Sequence, residues 1–251
     1  MLKASLRMAG YDDFAWFYNR YWNEDFHSVA FPILEQIWLP RVPAGCRVLD
    51  VCSGTGYLAG LLRSRGYHVT GIDSSVEMVK FARENVSGAE FLVANACDFQ
   101  VPRRFNAAVS TFDSLNHILE LRKLKAAFRR IAEALPAGAP FAFDMLVDRV
   151  DHARRGENFV ILRDDHVLMV TGEGFDFRSR KARCTITMFR LLEGMWKRAD
   201  LHIEERCYTH REIEAALRST GFGEILCYPA ADLGMAEAIG EGRVFFVTTR
   251  L

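Results

Sequence analysis

The apolar positions of this 251-residue chain follow two different periods along its length. Between residues 46 and 146, short runs rich in Val, Leu, Ile and Phe alternate with longer segments of helical spacing. Helices are predicted over 57–65, 75–85 and 120–134. Because strands that alternate with helices need crossover connections, this part predicts a parallel sheet of the α/β class with helices on both faces.

The pattern changes after residue 146 to short apolar runs joined by polar links at 163–166 and 178–181. Links of this kind favour antiparallel hairpins. We predict five strands in this part, at 159–162, 167–170, 174–177, 184–189 and 201–207. Residues 147–207 are therefore predicted to form a small antiparallel β insert.

The strand and helix alternation resumes after the insert. Thr209 and Glu212 form a capping-box signature at the start of a helix that stops at Gly221. Further strands are predicted over 224–228 and 243–249.

Aromatic side chains are concentrated in the first forty residues. Phe14, Phe17, Tyr18, Tyr21 and Trp22 lie near helical spacing, which predicts an amphipathic helix packed on the core. The same helix can also cover a cleft, because Phe17 can face the core while Tyr18 and Trp22 face that cleft.

Composition narrows the range of partners. Lys plus Arg and Asp plus Glu both number 32, so the chain has no overall field to attract nucleic acid or an anionic membrane. With 50% hydrophobic residues, the chain can bury one large core. These features favour a small-molecule substrate.

Two further patterns bear on location and metal binding. The first ten residues lack an apolar segment of signal-peptide length, and no run of 18 apolar residues occurs, so we expect a cytoplasmic protein outside the membrane. The six cysteines form no Cys-x-x-Cys pair, which supports neither a zinc site nor a disulfide framework.

The strongest chemical signal is a buried run that ends at Asp50 and is followed by Gly54 and Gly56. Glycine lacks a β-carbon, so it adopts positive φ and lets a ligand approach the main chain. The helix predicted to begin at Tyr57 would turn its free N–H groups toward the same ligand. A nucleotide-like cofactor is the first hypothesis.

A second acid, Asp73, ends the next predicted strand. An acid at this position of a strand–helix–strand unit can accept hydrogen bonds from ribose hydroxyls. Alternatively, Asp73 caps the helix that begins near Ser75. The segment from Gly54 to Ala59 also fits a loose dinucleotide motif, although three residues, 51–53, separate its first glycine from the acid that ends the strand.

An acid, a short spacer and Gly-Thr-Gly resemble the class I S-adenosylmethionine (SAM) methyltransferases. Segments 91–99, 105–117 and 135–144 resemble, in order, the third strand, the fourth strand with its loop, and the turn into the fifth strand of that family. The resemblance implies a Rossmann-like, seven-stranded, mostly parallel sheet whose last strand is antiparallel. It also implies a SAM-binding core over 41–146 and 208–251, an N-terminal helical lid over 1–40, and an insert that covers the substrate site.

The resemblance further implies SAM as cofactor, with S-adenosylhomocysteine (SAH) as product. Gly54, Thr55 and Gly56 would line the methionine part, Asp50 would orient the loop or the amino group, and Asp73 would hold the ribose. Asn95 stands where the family usually has an acid, but its side-chain oxygen can still accept from the adenine amino group. The full implied set of cofactor contacts is Tyr18, Asp50, Gly54, Thr55, Gly56, Tyr57, Asp73, Ser74, Met78, Asn95, Ala96, Cys97, Asp98, Thr111 and Phe112.

Methyl transfer from a sulfonium is an in-line displacement that needs alignment and, in principle, no metal. His117, in the loop after the fourth strand, is a candidate base, and Asp113 is a second catalytic candidate. Each has an alternative role, because His117 can begin the next helix and Asp113 can cap it. Trp22, Asn116 and Asp144 are predicted substrate contacts, although a structural role for Asp144 is equally open.

Three hypotheses follow from these residues. The first is a methyltransferase that acts on a nitrogen or oxygen of a small molecule, with a layout similar to aminosugar N-methyltransferases and glycine N-methyltransferase relatives. The second is an NAD-dependent oxidoreductase, which requires a second mononucleotide-binding half after residue 120. The third is a SAM-binding protein without catalysis. The acceptor and the choice between monomer and homodimer stay open.

Overall fold

The computed structural model describes residues 11–101, 104–147, 158–235 and 237–251. The helices are α1 (Tyr11–Tyr21), α2 (Asn23–Ile37), α3 (Tyr57–Ser64), α4 (Val76–Asn85), α5 (Leu121–Ala134), α6 (His210–Ser219) and α7 (Glu237–Gly240). The strands are β1 (Arg47–Val51), β2 (His68–Asp73), β3 (Glu90–Val93), β4 (Ala107–Ser110), β5 (Pro140–Leu146), β6 (Phe159–Leu162), β7 (His166–Asp176), β8 (Lys181–Leu192), β9 (Met195–Arg206), β10 (Phe222–Pro229) and β11 (Arg243–Arg250).

Seven strands form the main sheet, in the order β10-β11-β5-β4-β1-β2-β3. Strands β1 to β5 pair in parallel, and β11 lies antiparallel between β5 and β10. The predicted fold class is confirmed, including the antiparallel last strand. This order brings the carboxyl ends of β1, β2, β4 and β5 to one edge, where the loops that follow them meet.

Helices cover both faces of the main sheet. Leu58 and Leu62 of α3 pack into the core on one face, and Leu124, Phe128 and Ile131 of α5 pack on the other. Their spacing of three or four residues places each set on one side of its helix. Because the sheet is covered on both sides, all seven residues of β5 are buried.

The insert forms a separate antiparallel sheet in the order β6-β7-β8-β9. The strands predicted over 167–170 and 174–177 are one continuous strand, β7, in which the pairing shifts between Gly172 and Gly174. Strand β9 begins six residues before the predicted 201, because Glu193 (φ 51°) and Gly194 (φ 78°) turn the chain tightly. Two positive φ values match the twist of a hairpin, but Glu is a weak signal for that turn.

The N-terminal helix α1 lies between the core and the insert. Phe14 and Phe17 are buried and pack in one apolar cluster with Leu168, Ile186 and Met188 of the insert. Phe17 is therefore buried, but mainly against the insert and not against the main-sheet core that the pattern predicted. The predicted capping box is also present, since the Thr209 side chain accepts from the Glu212 backbone N–H and Glu212 accepts from that of Thr209.

Candidate functional site

The loop between β1 and α3 has the conformation that its glycines predict. Gly54 and Gly56 have φ of 52° and 84°, in the left-handed region that favours glycine. A β-carbon at Gly56 would lie 3.1 Å from side-chain atoms of Ala82 and Phe91, and one at Gly54 would lie 3.4 Å from the Tyr18 ring. Tyr18 of α1 thus covers the loop at close range.

Asp73, at the end of β2, holds this loop in place. Its carboxylate accepts from the backbone N–H groups of Gly54 and Ser75, both at 2.9 Å. The cap of α4 is Ser75, whose hydroxyl accepts from the Met78 N–H at 3.1 Å. The alternative that Asp73 caps this helix is therefore wrong. Burial raises the pKa of Asp73, while its backbone hydrogen bonds oppose that shift.

Asp50, at the end of β1, differs from Asp73. It is 1% exposed, and its Oδ2 atom has no hydrogen-bond partner among the described residues. Burial, followed by the charge of Asp73, raises the pKa of Asp50 to about 8. A buried carboxylate oxygen without a donor is unfavourable unless a ligand supplies one, so this position fits the amino group of SAM.

A cavity of about 310 Å³ lies over the glycine loop, and we call it the glycine-loop cavity. The predicted residues that line it are Tyr18, Trp22, Gly54, Asp73, Ser74, Met78, Phe112, Asp113 and His117. The other cavity residues are Tyr11, Phe14, Cys52, Ser114, Phe159, Val170, Cys184, Ile186, Ile203 and Glu205. Both the core and the insert therefore contribute to one site.

A second cavity, of about 630 Å³, lies against the insert sheet, and we call it the sheet cavity. It shares Trp22, Phe112, Asp113, Phe159, Val170, Cys184, Ile203 and Glu205 with the glycine-loop cavity. Its remaining lining residues are Tyr21, Asp25, Phe26, Ile161, Gly172, Gly174, Ala182, Arg183 and Ile239. The two cavities thus adjoin along a common wall.

His117 belongs to a polar cluster on the wall of the glycine-loop cavity. Its Nε2 atom lies 3.1 Å from the Tyr11 hydroxyl and 3.6 Å from a Glu205 carboxylate oxygen. Its Nδ1 atom lies 3.4 Å from the carbonyl oxygen of Glu204. Burial, and then the charge of Glu205, raise the pKa of Tyr11 well above its usual value. His117 ends the short 3-10 turn Ser114–His117 and does not begin α5.

Asn116 was predicted to contact substrate, and the structure contradicts this. It is fully buried, and its amide donates to the carbonyl oxygens of Leu146 at 2.9 Å and Arg206 at 2.8 Å. Its oxygen accepts from the Leu146 N–H at 3.1 Å. The side chain therefore joins the ends of β5 and β9, and it lines neither cavity.

Asp144 has the structural role that was left open for it, and it lines neither cavity. It is 1% exposed and accepts from the backbone N–H groups of Phe112 at 2.7 Å and Asp113 at 3.0 Å. It also forms an ion pair with Arg243. Burial raises the pKa of Asp144, and the charge of Arg243 lowers it.

Several predicted cofactor contacts lie outside both cavities. Tyr57 lines a separate cleft with Asn19, Arg20 and Asn85, so its side chain does not reach the glycine-loop cavity. The Asn95 oxygen accepts from the Cys97 N–H at 2.8 Å in the turn after β3. The remaining predicted contacts that line neither cavity are Asp50, Thr55, Gly56, Ala96, Cys97, Asp98 and Thr111. Binding at these positions stays a prediction.

Tyr11, Glu205 and Arg243 were not found by sequence reasoning. Tyr11 begins an aromatic segment whose other members give the helical pattern, and Glu205 occupies an ordinary polar position on a predicted strand. Arg243 is the first residue of β11, where it resembles a solvated strand end. None of the three carries a local signal that distinguishes it from a surface residue.

The described part of the chain contains neither a candidate metal site nor a helix that could span a membrane. No group of three or more His, Cys, Asp and Glu side chains there could hold a metal ion. In the same ranges, no helix is both long enough and apolar enough to cross a bilayer.

Known proteins resemble this chain most clearly over the segment that contains the glycine loop. Residues 48–138 match the family model of a methyltransferase domain. A putative methyltransferase of Geobacillus sp. is 30% identical over 140 residues, which cover 54% of this chain and 57% of that protein. The dTDP-3-amino-3,4,6-trideoxy-alpha-D-glucopyranose N,N-dimethyltransferase of Streptomyces venezuelae is 32% identical over 116 residues, or 46% and 48% of the two chains. The chain spans about half the length of the curated relatives it matches.

Solved structures match over nearly the whole fold. A SAM-dependent methyltransferase from Clostridium acetobutylicum has a TM-score of 0.76 at 21% identity, covering 96% of this chain and 98% of that one. A sugar N-methyltransferase from Streptoalloteichus sp. has a TM-score of 0.74 at 20% identity, covering 93% and 91%. The chain therefore contains a methyltransferase domain. The fold as a whole is similar to that of SAM-dependent methyltransferases, which agrees with the predicted class and with SAM as the predicted donor.

The NAD-dependent alternative does not agree with the fold. That class needs a second mononucleotide-binding half after the first. This chain instead places the four-stranded insert after β5 and inserts the antiparallel strand β11 next to β5.

Proposed function

We propose that the protein transfers the methyl group of SAM to the nitrogen of a small-molecule amine, with an amino sugar as the preferred acceptor class. The glycine-loop cavity is the donor site, and the sheet cavity is the acceptor site. The observation that carries this proposal is the common wall of the two cavities, where Asp113 and Glu205 face both.

On the donor side, SAM supplies an electrophilic methyl group on a sulfonium. Asp73 accepts from the ribose hydroxyls with the lone pairs that its two backbone partners leave free. Asp50 accepts from the ligand's amino group through its unpartnered oxygen. Tyr18 and Met78 pack against the ligand from the side of α1 and α4.

On the acceptor side, charge favours nitrogen over oxygen. Asp25, Asp113 and Glu205 line the sheet cavity, and carboxylates attract an amine and accept its N–H groups. Arg183 also lines this cavity, but it is paired with Glu204 at 2.8 Å. A neutral amine also needs less help from a base than a hydroxyl does, because its lone pair is already available. The amine substrate in the name of the Streptomyces venezuelae relative supports the same class.

His117 is placed to remove a proton. The contact of Nδ1 with the Glu204 carbonyl favours a proton on Nδ1, which leaves the lone pair on Nε2 toward Tyr11. As the nitrogen lone pair forms the N–C bond, the C–S bond breaks and its electrons return to sulfur. The proton of the resulting ammonium then passes to Nε2, directly or through the Tyr11 hydroxyl.

Helix α1 acts as a lid that bridges the core and the insert. At its start, Asp12 accepts from the Ser75 hydroxyl at 2.6 Å and from the Glu77 N–H at 3.2 Å. At its end, the Tyr21 hydroxyl lies 2.5 Å from Nε2 of the buried His166. The rest of the predicted 1–40 lid lies partly outside the described residues, since they begin at 11.

The test compares acceptors that differ in a single group. Purified protein is incubated with SAM and either an amino sugar or the same sugar with a hydroxyl in place of the amine, and SAH release is measured. We expect turnover of the amine only. Turnover of the hydroxyl sugar alone would overturn the choice of nitrogen, and stabilisation by NAD without binding of SAH would overturn the donor assignment.

A His117→Gln variant tests the proton acceptor. We expect kcat to fall roughly 100-fold, the lower end of what general base catalysis contributes, with SAM affinity unchanged. The matched control is His68→Gln, since His68 is exposed on β2 and lines neither cavity. Unchanged kcat in the His117 variant would exclude this imidazole as the base.

A further inference from the structure

We propose that Arg243 is a positioning residue that holds the carboxylate of Asp113 at the common wall of the two cavities. The inference rests on the proposed function, because it assigns a task to Asp113 in amine methylation. Arg243 touches neither donor nor acceptor, and it acts through Asp113.

The first observation is the burial of the Arg243 guanidinium. The residue is 2% exposed, and its Nε donates to the Ile239 carbonyl at 2.8 Å. Its terminal nitrogens donate to the carboxylates of Asp113 and Asp144. A buried cation requires such partners, so the position of Arg243 depends on both acids.

Aromatic rings enclose the same guanidinium. It lies 4.8 Å from the ring centroid of Phe26, and that ring stacks on Phe112 with centroids 4.2 Å apart and planes 4° from parallel. Burial alone would lower the pKa of Arg243, but the charges of Asp113 and Asp144 raise it above its usual value. The guanidinium therefore stays charged within an apolar enclosure.

The second observation is the backbone turn that carries Asp113. Phe112 and Asp113 have φ of 62° and 46°, and non-glycine residues adopt this left-handed region only at a cost. Their consecutive N–H groups donate to the two oxygens of Asp144. Arg243 thus fixes the Asp113 carboxylate directly and supports its backbone through Asp144.

The third observation is the unused oxygen of Asp113. Both Arg243 nitrogens lie 3.1 Å from Oδ1, whereas Oδ2 makes no hydrogen bond to the described residues. Asp113 lines both cavities. The guanidinium and the two carboxylates together carry a formal charge of about −1. The free acceptor, Asp113 Oδ2, lies at the wall between the two cavities.

This arrangement suits the charge that develops in the reaction. As the amine nitrogen forms its bond to the methyl carbon, positive charge passes from sulfur to nitrogen. Asp113 Oδ2 accepts an N–H of the amine, which orients the lone pair along the line of transfer and stabilises the new ammonium. A carboxylate free to rotate would orient the amine poorly.

A double-mutant cycle tests whether Arg243 acts through Asp113. We expect Arg243→Gln to lower kcat by about 100-fold, the order that misplacement of a reacting group costs, with SAM affinity changed less than about twofold. In an Asp113→Asn background, the same replacement should change kcat little further, because the two effects are not additive. Additive losses would overturn the proposal.

The control is Arg206→Gln. Arg206 is a half-buried guanidinium paired with Glu212 at 2.7 Å, and it lines neither cavity, so its loss should leave kcat unchanged. If Arg243→Gln does not fold, as judged by SAM binding, Asp144→Asn replaces it in the same cycle with the same expected result.

A crystal structure of Arg243→Gln with SAH separates this inference from the proposed function. We expect the Asp113 carboxylate to leave the wall between the cavities. An unchanged Asp113 would overturn the positioning role even if the wild-type protein methylates amines. A displaced Asp113 in a protein that methylates no amine would instead contradict the proposed function and leave the structural link between Arg243 and Asp113 established.

Discussion

The two adjoining cavities are built in different ways. The polar groups of the glycine-loop cavity that would hold SAM come from consecutive motifs between β1 and α4. The acids of the sheet cavity come from α2, the loop after β4 and the insert strand β9. Short-range geometry therefore forms the proposed donor site, whereas the proposed acceptor site depends on how distant elements pack.

The two acids that end β1 and β2 also differ from each other. Asp73 has backbone donors on both oxygens, whereas Asp50 has an oxygen without a partner. This difference agrees with the proposed roles, in which Asp73 holds the loop and Asp50 binds a cationic group of the ligand.

The largest expected effect comes from Asp50 as the pH rises. Its pKa is about 8 in the folded protein and about 4 in an unfolded chain, so between these values the folded state keeps a proton that the unfolded state has released. The protonated Asp50 side chain therefore stabilises the fold at about pH 4, and this stabilisation is lost as the pH rises to about 8. The free energy of unfolding falls by roughly 1.4 kcal/mol per pH unit in this range. Urea unfolding from pH 5 to 8 should show a flatter profile for Asp50→Asn.

The control for this prediction is Asp176→Asn. The Ser179 hydroxyl lowers the pKa of the exposed Asp176, so this group does not titrate in the same window. Added SAH should also flatten the wild-type profile, because its ammonium gives Asp50 a partner. Identical profiles for wild type and Asp50→Asn would show that Asp50 is already ionised in the folded protein.

Asp73→Ala should weaken SAM binding by about 100-fold, or roughly 3 kcal/mol, because hydrogen bonds to a charged group are lost. Titration calorimetry with SAH and with adenosine locates the effect. Equal losses for both ligands place Asp73 at the ribose, and a loss for SAH alone moves it to the methionine end. Asp176→Ala is the control, since Asp176 also accepts from backbone N–H groups but lies on a hairpin outside both cavities.

Asn116→Ala tests whether Asn116 joins the ends of β5 and β9 or takes part in substrate binding. Three backbone groups would lose their partner, which should lower the free energy of unfolding by about 2–3 kcal/mol, with SAM affinity unchanged. The control is Asn106→Ala, because the exposed Asn106 accepts a single hydrogen bond, from Arg47. An unchanged stability together with a raised acceptor KM would restore Asn116 as a substrate residue.

Local patterns predicted the elements of the core closely. The helix expected over 57–65 is Tyr57–Ser64, and the one expected over 120–134 is Leu121–Ala134. Both have an apolar face that repeats at helical spacing, so burial against the sheet selects their limits. The insert was predicted less well, because β7 crosses Gly172 and Gly174, where a strand pattern normally ends.

The site residues also divide into those with local signals and those whose partners are distant in sequence. Gly54 and Asp73 were predicted to share one site and do line the same cavity, because a strand end, an acid and a glycine turn determine one another within a few residues. The structural roles of Asn116 and Asp144 could not be predicted, since their partners come from strands far along the chain. A polar residue in a loop has the same local pattern whether it meets a ligand or a backbone group.

The sequence by itself determined the class of fold, the glycine loop and the two acids at the ends of β1 and β2. Backbone conformation at a strand end depends on neighbouring residues, so these features are encoded locally. Only the tertiary structure decided which acids line the wall between the two cavities. Arg243 reaches Asp113 across 130 residues of sequence and Asp144 across 99, and no local pattern records a contact that long-range packing creates.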